Sequence, residues 1–268
     1  MVDLLNILKK WQDITMTDDK IIELNRYDSR ARDILAEGQS SVGSSVQFGS
    51  KACPPVLAAP YIYFEECIRK NISHNHDVLE LGSGTGMHTF ALAQTAARVV
   101  ASDISSNSLA VLAQRITGIN TCVADMESLP FENASFDVVT SAGSLSYGEP
   151  TLVDTEIRRV LRPGGTFICV DSLNHSPVYR LNRWFHYKRG ERTRSTMLHM
   201  PTMERIETIS KGFKQTDVRY FGSISFLMPV LARIVGQTRA AAVSDYVDKL
   251  VNVRRAAFKF VLVAKGRK

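Results

Sequence analysis

Neither a disulfide framework nor a zinc site can be built from this sequence. Its four cysteines, Cys53, Cys67, Cys122 and Cys169, are scattered, with no Cys-x-x-Cys and no histidine pairing at metal spacing. No metal is therefore expected, and reduced thiols in a cytoplasm are the default. No apolar run approaches the roughly 20 residues of a spanning helix. The longest candidate, 224–235, is broken by Pro229 and Arg233. Met1–Trp11 does not read as a secretory leader: Asp3 stands at its front, the lysines follow the apolar residues, and no small-residue cleavage pattern appears. Gly-Lys-Ser/Thr is absent, which excludes a phosphate-cradling P-loop. No internal repeat interrupts the chain.

What is present is enough for a substantial core. The chain has 268 residues, 44% of them hydrophobic, which suits one α/β domain with additions. The net charge of +6 hides an asymmetry. Residues 1–150 hold 11 Lys+Arg against 18 Asp+Glu, a net of −7, and residues 151–268 hold 22 against 9, a net of +13. The basic second half suits an anionic partner.

One stretch organises the rest: Asp77-Val-Leu-Glu-Leu-Gly-Ser-Gly-Thr-Gly-Met-His-Thr89. Val78, Leu79 and Leu81 make an apolar run the size of one buried strand, three glycines follow, and Ala91, Leu92 and Ala93 continue as helix formers. Strand, glycine turn and helix aim backbone N–H groups at a ligand. The glycines alone leave a dinucleotide, a nucleotide phosphate and another adenosine compound open.

Residues 1–37 read as helical, with Asp28 or Ser29 as an N-cap, and 38–50 as a Ser/Gly loop suited to a lid. Pro54–Pro60 punctuates, and Tyr61–Lys70 reads as a helix. Strand-like runs then recur at Arg98–Ser102, Ile119–Ala124, Phe136–Thr140 and Thr166–Val170, separated by helical patterns at Ser106–Ile116 and Thr151–Leu161. This alternation implies a mostly parallel, doubly wound sheet with helices on both faces and a ligand at the carboxyl ends of its strands. After Asp171 a polar stretch, 172–200, reads as a sheet-end loop. A helix at Pro201–Gly212, a strand at Phe213–Phe221, helix in two pieces over Ile224–Leu250 and a final strand at Ala256–Ala264 complete the pattern.

The neighbours of the turn narrow the ligand. The spacing is G-x-G-x-G, not the G-x-G-x-x-G of dinucleotide enzymes, and Glu80 precedes it, where a pyrophosphate gains nothing from added negative charge. Asp103 ends the second strand and suits ribose hydroxyls, and Asp125 ends the third and suits an adenine amino group, with Met126 packing on the ring. Such an acidic rim suits a cationic, phosphate-free adenosine compound, S-adenosylmethionine.

At this point the chain resembles the class I S-adenosylmethionine-dependent methyltransferases. The resemblance rests on Val78-Leu-Glu-Leu-Gly-Ser-Gly-Thr-Gly86, Ala101-Ser-Asp-Ile104, Ala124-Asp-Met-Glu-Ser-Leu-Pro-Phe131, Ser135-Phe-Asp-Val-Val139 and Glu156-Ile-Arg-Arg-Val-Leu-Arg-Pro-Gly-Gly165, over roughly residues 75–170. It implies a Rossmann-like, seven-stranded mixed sheet with the last strand antiparallel. It places the cofactor at Glu80, Gly82, Ser83, Gly84, Asp103, Ile104, Asp125, Met126, Ser141 and Ala142. The single domain then comprises an N-terminal helical cap (1–70), a cofactor-binding core (75–170), an acceptor-side insertion (172–200) and a helical insertion (224–255). The Leu-Pro-Phe and Phe-Asp-Val-Val versions look like the small-molecule subgroup. The stretch after strand four, Ser141-Ala-Gly-Ser-Leu145, departs from the Asn/Asp-Pro-Pro-aromatic motif of nucleic-acid amino methyltransferases, so no nucleic acid is expected. A weaker resemblance, over Asp171–Pro201, is to methyltransferases found with bacterial surface-polysaccharide assembly enzymes.

Methyl transfer from a sulfonium needs alignment and exclusion of water, and a hydroxyl acceptor also benefits from a general base. His175 leads the candidates because it closely follows strand five and histidine titrates near neutrality. Tyr147, Asp171, Glu149, His186 and His199 follow. Arg180, Arg183, Trp184, His186 and Tyr187 form the expected acceptor site, since aromatic faces stack on sugars and arginine forks hold phosphates. The expected acceptor is a small molecule, a sugar or a nucleotide- or lipid-linked glycan. The alternatives are a quinone-like metabolite and a non-catalytic cofactor-binding role. Segment 224–250, apolar early and basic later, suits a cover for the sheet, a lipid surface or a second subunit.

Overall fold

The computed structural model describes residues 17–36, 47–48, 51–52, 55–190, 192–224, 227–250 and 254–268. The expected lid loop, 38–50, and the helical reading of 1–16 lie outside these, apart from a short hairpin pairing Gln47–Phe48 with Lys51–Ala52.

Seven strands form one sheet: β1 (Asp77–Leu81), β2 (Arg98–Asp103), β3 (Asn120–Val123), β4 (Phe136–Ala142), β5 (Leu161–Ser172), β6 (Phe213–Phe221) and β7 (Lys259–Arg267). Their order is β3-β2-β1-β4-β5-β7-β6. Neighbours from β3 through β5 are parallel, and β7 runs antiparallel to both β5 and β6. This is the Rossmann-like mixed sheet expected from the alternation of strand and helix patterns.

Burial on both faces explains the near-continuous apolar runs of the central strands. On one face Leu79, Leu81, Val139, Phe167, Cys169 and Leu262 pack with α5 (Pro150–Val160) and α8 (Met203–Lys211). On the other, Val78, Val138, Ile168, Val170, Val261 and Val263 pack with Phe64 and Ile68 of α2 (Pro55–Asn71). Adjacent residues such as Val78 and Leu79 enter opposite layers, as the period of two in a strand requires.

Several elements differ from the sequence expectation. Helix α1 runs unbroken over Asp18–Ala36, so Asp28 caps nothing and its carboxylate instead accepts from the Ser105 hydroxyl. Helix α2 begins at Pro55 and runs through Pro60, so the prolines there start the helix rather than separate it. Strand β5 begins at Leu161, ahead of the Pro-Gly-Gly, because Leu161 pairs with Phe136 across a register shift in β4. Stretch 172–200 is not a plain loop: it holds α6 (Pro177–Lys188) and α7 (Arg194–Leu198). Proline at the first position of α6 and the Thr193 hydroxyl capping α7 supply the start signals. The remaining helices are α3 (Thr89–Ala93), α4 (Ser106–Arg115), α9 (Met228–Val235) and α10 (Gln237–Leu250).

One buried ion pair ties the sheet-end loops together. Arg205 on α8 donates to Asp154 on α5 at 2.8 Å and also to the carbonyls of Leu145 and His199. Both side chains are about 7% exposed, so losing one partner strands a charge away from water. The Asp154→Ala variant is expected to lose about 3 kcal/mol or more of unfolding free energy. Urea denaturation followed by circular dichroism checks this; a loss within error of zero would mean that Arg205 is solvated where it stands.

Candidate functional site

At the carboxyl ends of β1, β2 and β4 a cavity of about 440 Å³ opens. Ligand sites of a few hundred Å³ are the norm for small molecules. Its floor is the turn after β1. Gly82 takes φ of +63°, and a Cβ there would stand 2.4 Å from the Ser144 Cβ and 2.7 Å from its Oγ. Only glycine fits. The Ser144 hydroxyl donates to the Leu81 carbonyl at 2.9 Å and bonds the Ser141 hydroxyl at 2.7 Å. The loop after β4 is thereby fastened to the turn after β1.

Three carboxylates at strand ends line this cavity, Glu80, Asp103 and Asp125, and Glu23 of α1 adds a fourth. Glu80 is buried and accepts from the Thr89 hydroxyl at 2.5 Å. Burial above all, and the charge of Asp103, push its carboxyl up to about 8, against the Thr89 bond. Asp103 accepts the N–H groups of Gly84 and Ser105, each at 2.8 Å. Burial raises its carboxyl and these bonds oppose the rise. Asp125 accepts the Glu127 N–H at 3.0 Å. Each carboxylate retains lone pairs beyond the bonds it makes.

A helix far back in the sequence closes the site. Lys20, Glu23, Leu24, Tyr27, Arg30 and Ile34 of α1 all line the cavity. Lys20 contacts Asp125 at 2.5 Å and Glu127 at 2.6 Å. These bonds raise its pKa although burial works against its charge. Glu23 accepts from the Thr193 and Thr196 hydroxyls, each at 3.1 Å. Helix α1 therefore bridges the end of β3 and the start of α7. Tyr27 and Tyr147 share a 2.5 Å hydrogen bond between their hydroxyls. Burial raises both phenols, so both stay protonated at neutral pH.

The expected residues divide by position. Glu80, Gly82, Ser83, Gly84, Asp103, Ile104, Asp125, Met126, Ala142 and Tyr147 line the cavity. Ser141 lies behind it, bonded to Ser144. Asp171 is buried beneath the loop after β4, its oxygens accepting the Leu145 and Ser172 N–H groups at 3.0 and 2.6 Å. His175 is half-buried between β5 and α6. Arg180, Trp184 and Tyr187 are exposed on α6, His186 is half-buried, and Arg183 points inward, donating to the Leu173 carbonyl at 2.9 Å. None of these five lines the cavity.

One further cavity residue had no sequence signal of its own. His88, 3% exposed, stacks on Tyr61, and its Nδ1 meets Glu65 Oε1 at 3.1 Å. Its Nε2 and the Ser83 Oγ are buried with no partner, and both residues line the cavity. Buried polar atoms without partners are rare. Two of them beside the strand-end carboxylates suit a polar, cationic ligand that completes their bonds, as S-adenosylmethionine would.

Comparisons with known proteins agree with this geometry. Residues 79–169 match the family model described as a methyltransferase domain. Residues 79–169, about a third of the chain, are thus similar to a methyltransferase domain, and the sheet that holds them has the class I methyltransferase strand order. A demethylmenaquinone methyltransferase of Clavibacter sepedonicus is 41% identical over 108 residues, 38% of this chain and 44% of that protein. A malonyl-[acyl-carrier protein] O-methyltransferase of Hahella chejuensis is 31% identical over 166 residues, 60% of this chain and 52% of that protein. The chain thus spans about half the length of the curated relatives it matches. Among solved structures, phosphoethanolamine N-methyltransferase 2 of Haemonchus contortus, with phosphomonomethylethanolamine and S-adenosylhomocysteine, superposes with a TM-score of 0.62 at 18% identity, covering 94% of this chain and 61% of that one. The [4+2]-cyclase SpnF superposes with a TM-score of 0.59 at 18% identity, covering 91% and 94%. One fold therefore serves more than one chemistry, and side chains must decide the reaction.

The Gly82 contact gives a direct test of the methyltransferase site. Gly82→Ala must move Ser144 or the turn, and a side chain at positive φ adds about 1 kcal/mol of strain. Calorimetric titration is expected to show no S-adenosylmethionine binding by this variant while its circular dichroism stays native. Binding at the parental affinity would show that the turn after β1 is not part of the site.

Proposed function

We propose that this chain transfers the methyl group of S-adenosylmethionine to a small-molecule acceptor, and that the acceptor is lipophilic and quinone-like. The observation carrying the acceptor reading is the apolar and aromatic wall that Leu24, Tyr27, Ile34, Tyr61 and Met87 give the cavity. The demethylmenaquinone methyltransferase relative supports it.

In this reading Glu80, Gly82, Ser83 and Gly84 hold the amino-acid end of the cofactor, Asp103 and Ile104 the ribose, and Asp125 and Met126 the adenine. The loop at Ala142 shapes the reacting end, with Ser141 bracing it from behind. The cofactor supplies an electrophilic methyl on a sulfonium, itself a good leaving group. The protein's contribution is alignment and a dry site. Tyr147 orients the acceptor as a hydrogen-bonding phenol, not a phenolate, because burial holds its proton on. Asp171 acts through the loop after β4, whose Leu145 N–H it fixes.

A second reading, methyl transfer to an oxygen of a sugar or of a phosphate-bearing glycan in surface-polysaccharide assembly, draws on one observation. The Nη2 of buried Arg183 has no partner, and burial, with the nearby charge of Arg192, pulls the guanidinium down to about 10. An anionic group would complete it, with Arg180, Trp184, His186 and Tyr187 around it and His175 as base. Incubation with labelled methyl donor and a panel of quinol analogues, nucleotide sugars and polysaccharide fragments separates the two. Label is expected on the quinol analogue; label on a sugar instead selects the second reading. Cofactor binding without transfer across the panel overturns both and leaves a binding role.

Glu80 gives a pH prediction. Its folded pKa of about 8 lies above the ordinary carboxyl value, so the empty site holds a proton at pH 7 and loses stability as pH rises toward 8. A cationic cofactor favours the ionised form. Binding at pH 7 is therefore expected to release about one proton, visible as a dependence of calorimetric enthalpy on buffer ionisation enthalpy. Glu80→Gln should remove that dependence; proton release unchanged in this variant would locate the titrating group elsewhere.

A further inference from the structure

Two short helices at the carboxyl end of the sheet present apolar stripes outward. On α6, Val178, Leu181 and Phe185 follow one another at helical spacing, 48%, 57% and 48% exposed, with Trp184 alongside at 46%. On α9 and its entry, Leu227, Val230 and Ile234 do the same at 50%, 62% and 75% exposed. A buried face, by contrast, fixes each helix. Tyr179 of α6 packs on Phe258 and donates to the Gly222 carbonyl, and Met228 of α9 is buried. The outward stripes are thus left over once the fold is satisfied.

Within these two helices the charges have one sign. Helix α6 carries Arg180 and Lys188 on its surface, with Arg189 and Arg194 just beyond, and α9 carries Arg233. Neither helix contains an acidic residue, and Glu191 is the single acid between 172 and 203. The Lys188 ammonium sits 5.6 Å from the centre of the Trp184 ring. Helix α6 follows β5 and α9 follows β6, which are parallel to each other through β7. Both stripes therefore lie at the sheet end where the cofactor cavity opens.

We propose that α6 and α9 together form a docking surface for an anionic lipid bilayer. Aromatic and aliphatic side chains flanked by cations are what an interfacial helix uses to enter the headgroup region. Cations near an anionic leaflet are attracted with about 1 kcal/mol each, roughly a fivefold change in partition per residue. Two short stripes without cations would bind weakly, and cations without stripes would bind reversibly at low salt only. Here stripes and cations occur on the same two helices at one end of the sheet, and no described helix is long and apolar enough to cross the membrane. The surface is separate from the cavity, so this inference stands whether or not the acceptor is lipophilic.

Vesicle co-sedimentation of the full chain tests it. With vesicles of phosphatidylglycerol and phosphatidylcholine, the protein is expected to pellet, with binding that falls as salt rises; with phosphatidylcholine alone it should stay largely in solution. Leu181→Asp with Ile234→Asp should abolish pelleting. Lys188→Gln with Arg189→Gln should weaken it about fivefold per cation removed. Leu152→Asp, on exposed α5, serves as the control and should leave it unchanged. All variants should keep S-adenosylmethionine binding, which separates loss of the surface from loss of the methyltransferase site. Equal pelleting by the double aspartate variant overturns the proposal. So does a dimer in light scattering that this variant converts to a monomer with no vesicle binding by the parent, since a second copy would then own the surface.

Discussion

The contact between the turn after β1 and the loop after β4 sets the geometry of everything around it. Ser144 reaches across to the Leu81 carbonyl and occupies the volume that a side chain at position 82 would need. From that contact follow the turn's direction and the position of Tyr147, whose N–H donates to the Ser144 carbonyl. Asp171 fastens the same loop from the other side, through the Leu145 N–H, and Arg205 holds the Leu145 carbonyl. A single short loop is thus fixed at both of its backbone groups by charged, buried side chains. Precise alignment of a methyl donor and an acceptor needs this kind of preorganisation more than it needs a strong acid or base.

Charge works in the opposite direction at the two ends of the sheet. At the amino ends, Asp77 and Asp137 meet Arg98 and Arg162 in ion pairs close to solvent, and such pairs contribute little to stability. At the carboxyl ends, Glu80 and Asp125 stand buried and Asp103 half-buried, with Lys20 the described cation that pairs with one of them. Holding carboxylates there costs free energy in the empty protein, which a bound cation recovers. The site is therefore built for a ligand that brings its own positive charge, and Lys20 stands in for part of it.

Much of this was legible in the sequence for a physical reason. The turn depends on local chemistry: apolar run, three glycines, helix formers. The acids at 80, 103 and 125 sit at strand ends that periodicity marks. Strands β1 to β4 and β6 appear where the apolar runs predict, and the α/β alternation gives the sheet. What periodicity does not carry is the third dimension across long separations. Tyr27 and Tyr147 are 120 positions apart and meet through a helix whose own pattern says only that it is amphipathic. His88 gives no sign of its place until Tyr61 and Glu65 are seen packed against it. Arg183 reads as one of an acceptor-site group with Arg180, Trp184, His186 and Tyr187, yet its side chain turns inward to the Leu173 carbonyl. Stretch 172–200 reads as a sheet-end loop because its apolar residues serve two faces, one toward Phe258 and one outward.

The order of the strands has a consequence for how the molecule comes together. Strand β7 is the last in the chain, yet it is an interior strand, with β5 on one side and β6 on the other. Its partner register with β5 joins residues 166–172 to 259–265, a span of roughly ninety residues. Contacts so distant in sequence raise the contact order and slow the approach to the native state. Until β7 inserts, β6 has no ladder partner in the sheet and β5 is an open edge. During that interval the apolar residues Phe167, Ile168 and Val170 lie on a strand able to pair with another chain. Shortening the chain by its last ten residues would therefore not trim a tail; it would remove the strand that joins the two halves of the sheet.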